Sequence, residues 1–254
     1  MPLVTFTSDF GNGDHYVAAV KAAMLSGDPS VQIIDISHDI KPFDIPHLAF
    51  TINSVFRQFP TGTVHLIGLN ANDSAEQYIG ARLEEHLFLL PDNGLIGLLS
   101  DQPPSEVVLI KSESTSLFPT RDLLAPIALA ISKGENLENF GSKTSDYKRM
   151  VSRKVKATRK EIAGHIIHVD QYGNLISNIK KVDFDILSKE KRFKIQIGKE
   201  TSERIHVKYQ DVEPGDIFFV FNSLGLLEIG INQGQANQLL GMGYDAPVNI
   251  QFEE

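Results

Sequence analysis

Two hydrophobic patterns follow one another along this chain, and their order constrains the fold more than any single residue does. Through about residue 134, short apolar runs of strand character alternate with stretches whose apolar residues recur at helical spacing. From Gly164 onward there are short strand runs set off by turn residues: HIIHVD, LISNI, FKIQI, RIHVKY and IFFVF. The first pattern builds a parallel sheet with helices packed on it, and the second an antiparallel sheet or barrel. The expected fold is α/β: an N-terminal domain, residues 1–145, with a mostly parallel central sheet, then a small C-terminal β-barrel domain, residues 162–254. Residues 146–161, rich in Lys, Arg, Ser and Thr and without an apolar period, are the expected linker.

The stretch LVTFTSDFGNGDHYVAAV reads as a buried strand that carries Asp9 into a glycine turn before a helix. That helix buries Val17, Val20 and Met24 and ends at Gly27, Asp28 and Pro29. VQIIDIS reads as a strand buried on both faces of a parallel sheet. Residues 38–46 carry two prolines four apart, which rules out regular helix and makes a shaped loop suited to a pocket wall. Leu48, Ile52, Val55, Phe56 and Phe59 then mark one amphipathic helix, closed by Pro60 and Gly62, and TVHLIGL follows as a strand. HLFLLPDNGLIGLL is a strand, a turn that accounts for Asp92 and Asn93, and a second apolar run. The strand VVLIK leads through a polar loop to a helix with Leu123, Leu124, Ile127, Ala128 and Ile131, which stops near Gly134.

Open α/β sheets bind ligands beyond the carboxyl ends of their strands. That edge would hold Asp9, the loop NANDSAEQY at 70–78 and the loop at 116–121, with Asp170, Asn174, Asn222 and Ser223 supplied by the second domain. Such residues make a polar, uncharged-to-acidic pocket for a neutral or cationic ligand bearing hydroxyls and amines. Asp9 taken alone has two readings, a cap for the next helix or a ligand-binding carboxylate.

A formal net charge of −8, with basic residues scattered, excludes a nucleic-acid groove. The chain has no cysteine, hence no disulfide framework, thiolate metal site or cysteine nucleophile. Phosphate-loop, nucleophile-elbow and H-E-x-x-H patterns are missing. The eight histidines are scattered, so no metal site is expected; His65 and His168, inside strand patterns, read as satisfied sheet residues. No run approaches the roughly 20 apolar residues that span a bilayer, and the N-terminus runs straight into a strand, so the expectation is a cytoplasmic protein without a membrane partner.

Seven blocks, TSDFGNGDHYV, DISHDIKPFDI, FPTGTVH, PDNGLIG, FPTRDLLAP, VDQYGNLISNI and NSLGLLEIGINQGQA, resemble in the same order those of the S-adenosyl-L-methionine (SAM) hydroxide adenosyltransferases, relatives of the SAM-dependent fluorinase and chlorinase. The resemblance covers essentially the whole chain. It implies a homotrimer with SAM or adenosine bound between the N-domain of one subunit and the C-domain of the next, and no cofactor. It further implies that Asp9 holds the ribose hydroxyls, that Asp170 and Ser223 meet the methionine end, and that Asn174 and Asn232 lie around the purine. Phe10, Tyr172 and Asn222 are counted with them as substrate-binding residues. The reaction of the family is attack of water, hydroxide or halide on the ribose carbon next to the sulfonium, with methionine leaving.

The hydrolases of this family resemble VDPGVG-x-x-R after the GTVH strand and FHGRD in the later loop, which supply an Asp, an Arg and a His. Counted from His65, this chain has Asn70 and Gln77 at the first two positions, and FPTRD puts Pro119 at the third. An Asn is no base, a Gln carries no charge and a Pro side chain has no polar atom. The halogenase relatives have a Ser or Gly where this chain has Thr120, whose hydroxyl could hold a halide or cap the helix. Three readings follow: an enzyme cleaving SAM with water to adenosine and methionine, a SAM- or adenosine-binding protein with weakened or lost turnover, and an enzyme using a halide.

Overall fold

A computed structural model describes residues 2–69, 77–112 and 116–253, and the chain divides into two units, Met1–Ser152 and Arg153–Glu254. The first unit runs β1 (Leu3–Ser8), α1 (Tyr16–Gly27), β2 (Gln32–Ser37), α2 (Ile45–Asn53), β3 (Val64–Gly68), β4 (Tyr78–Leu83), β5 (His86–Pro91), α3 (Ile96–Leu99), β6 (Glu106–Ile110), α4 (Ala125–Ser132) and β7 (Gly141–Lys143). Its seven strands lie in the order β2-β1-β3-β5-β4-β6-β7. β2, β1, β3 and β5 are mutually parallel; β4 opposes both β5 and β6, and β7 opposes β6. Five of the seven therefore point the same way, which bears out the mostly parallel sheet expected.

Side-chain alternation sends the two faces of this sheet to two cores. Phe6, Leu66 and Leu89 face α1 and α4, packing on Val20, Met24, Leu124 and Ala128. Ile67, Phe88 and Leu90 face the other way, onto Leu48 and Ile52 of α2 and Ile96 and Leu99 of α3. β3 and β5 are buried along their whole length, as continuous apolar runs require.

Three local expectations are corrected. β2 is not buried on both faces: it is the edge strand, paired with β1 alone, and Ile34 is exposed. An Ile-rich run marks strand character but not position in the sheet. The helix expected to continue to Phe59 ends at Asn53, because the Ser54 hydroxyl bonds back to the Phe50 carbonyl at 2.7 Å and Val55 leaves helical space at φ −137°; a separate 3-10 turn over Phe56–Gln58 still buries Phe56. The loop expected at 38–46 stops at Asp44, which caps α2 by accepting the His47 N–H at 2.9 Å, and Pro46 falls in the first turn, where its missing N–H costs nothing.

The second unit contains β8 (Lys156–Ala157), β9 (Glu161–Val169), β10 (Leu175–Lys180), α5 (Lys181–Leu187), β11 (Arg192–Ile197), β12 (Glu200–Ser202), β13 (Ile217–Phe221), β14 (Leu226–Ile231), α6 (Ala236–Leu239) and β15 (Pro247–Glu253). These strands pair antiparallel in the order β12-β11-β15-β9-β10-β14-β13, with β8 on β9, and form a nearly closed barrel around Ile162, Ile166, Leu175, Ile195, Phe219, Ile229 and Ile250. RIHVKY, expected as a strand, is irregular and passes into a 3-10 turn at Tyr209–Asp211. His206 nevertheless bonds to Phe219 of β13 twice, through its own N–H at 2.7 Å and through Nδ1 accepting at 3.1 Å. The segment after β12 thus reaches β13 by one residue's backbone and side-chain hydrogen bonds and not by a ladder.

Candidate functional site

In the first unit, β1 and β3 end side by side, with Ser8 opposite Gly68. Just beyond, the Asp9 N–H bonds to the Gly68 carbonyl at 3.4 Å, and Gly11, at φ +71°, gives its N–H to the His38 carbonyl at 2.9 Å. The Asp9 carboxylate accepts the Phe43 N–H at 3.1 Å. Asp9 does not cap α1, whose N-cap is His15. Phe43 sits at φ +64° in a turn closed by the Asp44 N–H on the Lys41 carbonyl at 3.0 Å. A left-handed conformation there normally calls for glycine, and a bulky residue in it costs about 1–2 kcal/mol. The turn that supplies a donor to Asp9 is therefore a strained one.

A second set of bonds ties the same loops from beneath. Ser8 Oγ lies 2.7 Å from His38 Nδ1, both buried, and accepts the Phe10 N–H at 3.4 Å. His38 Nε2 is 3.2 Å from Asp35, whose other oxygen binds Lys21. Partial burial works against the Asp35 carboxylate, but the bonds from Lys21 and His38 outweigh it and hold the group below its ordinary range.

Gly68 is what lets the neighbouring loop close in. A Cβ on it would fall 2.8 Å from the Phe10 ring and 3.0 Å from the Thr120 methyl. Phe10 also meets Phe118 and Tyr16 at ring-centroid distances of 5.6 and 6.0 Å. Pro119 precedes a π-helical turn, Thr120–Leu124, that leads into α4, and Thr120 is buried. Such widened turns recur at functional sites. Gln77 precedes β4, whose antiparallel pairing of Tyr78 with Pro91 puts it at the carboxyl end of β5; its carbonyl takes the Asp92 N–H at 3.0 Å and the residue is exposed. Asn70 lies outside the described residues. Asp9, Phe10, Pro119 and Thr120 are thus brought together, with Gln77 on the same edge of the sheet.

The second unit has its own polar cluster. The Asp170 carboxylate accepts the N–H groups of Tyr172 and Asn174 at 2.9 and 2.8 Å, closing a turn in which Gly173 sits at φ +81°. The Asn174 amide donates to Asp170 at 3.1 Å and to Glu228 at 3.1 Å, and Asn222 donates to the other Glu228 oxygen at 3.1 Å. Glu228 is 3% exposed, and its pKa is pushed up by burial and by the Asp170 charge, against the bonds from Asn222, Tyr209 and Asn174. Tyr209 packs its ring on Phe218 at 4.9 Å and, with Lys208, Asn222 and Ser223, lines a groove of about 310 Å³. Tyr172 is exposed on its turn. Asn232 stands apart, since its amide holds the Val212 carbonyl at 2.7 Å. Glu228 and Tyr209 were not among the expected site residues. A lone acid inside the apolar run LLEIGI is a readable signal for Glu228; Tyr209 had none, because its segment reads as strand.

His65 is the buried, hydrogen-bonded sheet residue expected, with Thr5 Oγ1 at 2.7 Å and His86 at 3.1 Å. Among the described residues no cluster of three or more His, Asp or Glu is placed to hold a metal ion, and no helix is long and apolar enough to cross a membrane.

Comparison with known proteins bears on both units. The profile of the SAM hydroxide adenosyltransferase N-terminal domain matches residues 4–141, and that of the C-terminal domain matches residues 164–249. An (R)-S-adenosyl-L-methionine hydrolase from Methanocaldococcus jannaschii is 30% identical, over 99% of this chain and 97% of its own length. A fluorinase from an Actinoplanes species is 27% identical over 72% of this chain and 74% of its own length. The crystal structure of an uncharacterized conserved protein from Thermotoga maritima superposes with a TM-score of 0.87 at 26% identity, covering 98% of this chain and 99% of that one.

Proposed function

We propose, from the premise that this chain belongs to the SAM hydroxide adenosyltransferase family, that it binds SAM and transfers the adenosyl group to water, yielding adenosine and methionine. The observation that carries this reading is Asp9, a carboxylate held at the carboxyl edge of the sheet by the N–H of a strained turn. A carboxylate accepts both protons of a ribose diol, and the strain is the kind retained at ligand sites. In the second unit, Asp170 suits an ammonium group and the groove beside the Tyr209 ring suits a flat heterocycle.

The leaving group is a neutral thioether and needs no proton, so catalysis reduces to placing and desolvating a nucleophile in line with the C–S bond at the ribose 5′ carbon. Thr120, buried with its methyl against Gly68, carries a hydroxyl that would serve to hold a water or a halide. A second reading, a SAM- or adenosine-binding protein with weak or no turnover, draws support from Pro119, whose side chain contributes no polar atom to this cluster, and from the uncharged Gln77. A homotrimeric assembly and a cytoplasmic location belong to the same proposal; sedimentation velocity tests the first.

The deciding experiment incubates the purified protein with SAM at stoichiometric and at catalytic ratios, resolves products by chromatography and records a binding isotherm. Adenosine and methionine formed in equal amounts over many turnovers support the enzyme. Tight binding without product leaves the binding protein, and a halo-adenosine formed in the presence of halide would replace water as the nucleophile. Absence of any SAM or adenosine binding refutes all three.

A further inference from the structure

We infer that Glu228 is a positioning residue of the C-terminal cluster: together with Asp170 it holds the NH₂ of Asn174, which leaves that side chain a pure acceptor toward a ligand, and it takes the amide of Asn222. The inference rests on the proposed nucleoside site and deepens it.

An asparagine amide is ambiguous, because a half-turn exchanges its oxygen for its NH₂ at little steric cost. A carboxylate removes the ambiguity, since while ionised it only accepts. Glu228 receives the Asn174 amide on one oxygen and the Asn222 amide on the other, each at 3.1 Å. The Asn222 oxygen takes the Leu224 and Leu226 N–H groups at 3.0 and 3.2 Å, so its NH₂ is the end presented to Glu228. Asn174 spends its NH₂ on two carboxylates, Glu228 and Asp170, so the atom left over is its carbonyl oxygen. Gly230 keeps room for that oxygen: a Cβ there would stand 2.4 Å from it.

The consequence is selectivity. An oxygen held in this way welcomes an N–H on the ligand and repels a carbonyl, whereas an amide free to turn accommodates either. The contrast is sharpened by burial, because a desolvated acceptor facing another acceptor loses its bond outright. Adenosine and inosine, which differ by an amine against an oxo group on the purine, are the probes that read it.

The test compares the wild type with Glu228→Gln, which keeps the shape of the side chain but offers one NH₂ in place of one oxygen, so that one of the two asparagines meets a donor. Nitrogen–proton spectra of the ligand-free proteins report the side-chain amides of Asn174 and Asn222, assigned by their loss in Asn174→Asp and Asn222→Asp. Expected are exchange-protected amides for both residues in the wild type and the displacement of at least one pair in Glu228→Gln. Isotherms are expected to show the wild type favouring adenosine over inosine by tenfold or more, and Glu228→Gln cutting that ratio at least fivefold. A general loosening of the barrel would weaken both nucleosides together and leave the ratio alone, and that result overturns the inference. So do amide signals that Glu228→Gln leaves in place. If neither nucleoside nor SAM binds the wild type, the proposed function falls, and the amide spectra alone decide whether Glu228 orients the asparagines.

Discussion

The buried histidine pair of the first unit should make folding acid-sensitive well above the range in which carboxylates titrate. His65 is 1% exposed; its Nδ1 meets Thr5 Oγ1 at 2.7 Å, its Nε2 meets His86 Nδ1 at 3.1 Å, and the Phe88 ring stacks on it at 4.7 Å. Burial, with a smaller contribution from His86, pulls the His65 pKa down to about 3 from an ordinary 6.5. The unfolded chain therefore takes up a proton as pH falls below 6.5 while the folded chain refuses it until about 3, so the stability His65 contributes is complete above 6.5 and is lost on acidification. Each pH unit inside that window costs about 1.4 kcal/mol, and from pH 7.5 to 5.0 the loss is about 2 kcal/mol. For a unit of this size that is roughly 4–8 °C in melting temperature. The check is urea denaturation followed by far-ultraviolet circular dichroism, the chain having no tryptophan, at several pH values across that span. His47, His86 and His165, whose pKa values burial also lowers, add to the wild-type slope, so the informative quantity is the difference from Thr5→Val/His65→Phe. That double variant fills the aromatic box formed with Phe56, Phe59 and Phe88 and removes the hydroxyl that would lose its partner. Its stability should fall by about 2 kcal/mol less than the wild type's over the same range. Equal slopes would show that His65 accepts a proton in the folded protein and would refute the reasoning.

Asp9→Asn keeps the acceptor for Phe43 but loses the charge, and SAM affinity should drop by about 1.5–3 kcal/mol, roughly 10- to 150-fold, by titration calorimetry; an unchanged affinity counts against the ribose role. Gly68→Ala forces a methyl onto the Phe10 ring and the Thr120 side chain, so the melting temperature should report a loss of about 1–3 kcal/mol together with weaker SAM binding. Asp92→Ala strips the Lys148 N–H of its buried acceptor, at a cost of about 1–3 kcal/mol, and limited proteolysis should then cut faster near residue 148. Restoring the groups that the hydrolases carry, as Asn70→Asp/Gln77→Arg/Pro119→His, should raise adenosine formation by about 10² to 10⁴ if nucleophile handling limits the rate; no increase would place the limit elsewhere.

What the sequence shows about the fold depends on whether a physical cause is local. The alternation that announced a parallel sheet is local, and the strands β1, β3 and β5 lie where it placed them. The position of β2 is not: an apolar run says that a strand is favourable, whereas edge or centre is decided by which other strands pair with it, and here only β1 does. RIHVKY shows the same divide. Its alternating pattern suits a strand, but the chain turns away into the 3-10 turn at Tyr209 after one residue has paired with Phe219.

The candidate site divides along a similar line. Asp9 could be singled out because an acid between a buried strand and a glycine turn has few structural uses, and the helix cap that was the alternative falls at His15 instead. Glu228 is invisible to that argument, since it lies within a strand and its bonds to Asn174 and Asn222 join two turns that are far apart in sequence. Among the described residues the polar groups that could orient a ligand are thus numerous and mutually braced, and Thr120 is the buried hydroxyl residue beside Phe10 and Gly68. In the proposed reaction the leaving group is neutral, so departure of methionine would ask nothing of an acid. Activation of the incoming nucleophile would then be the step that needs help, and placement and desolvation can promote it.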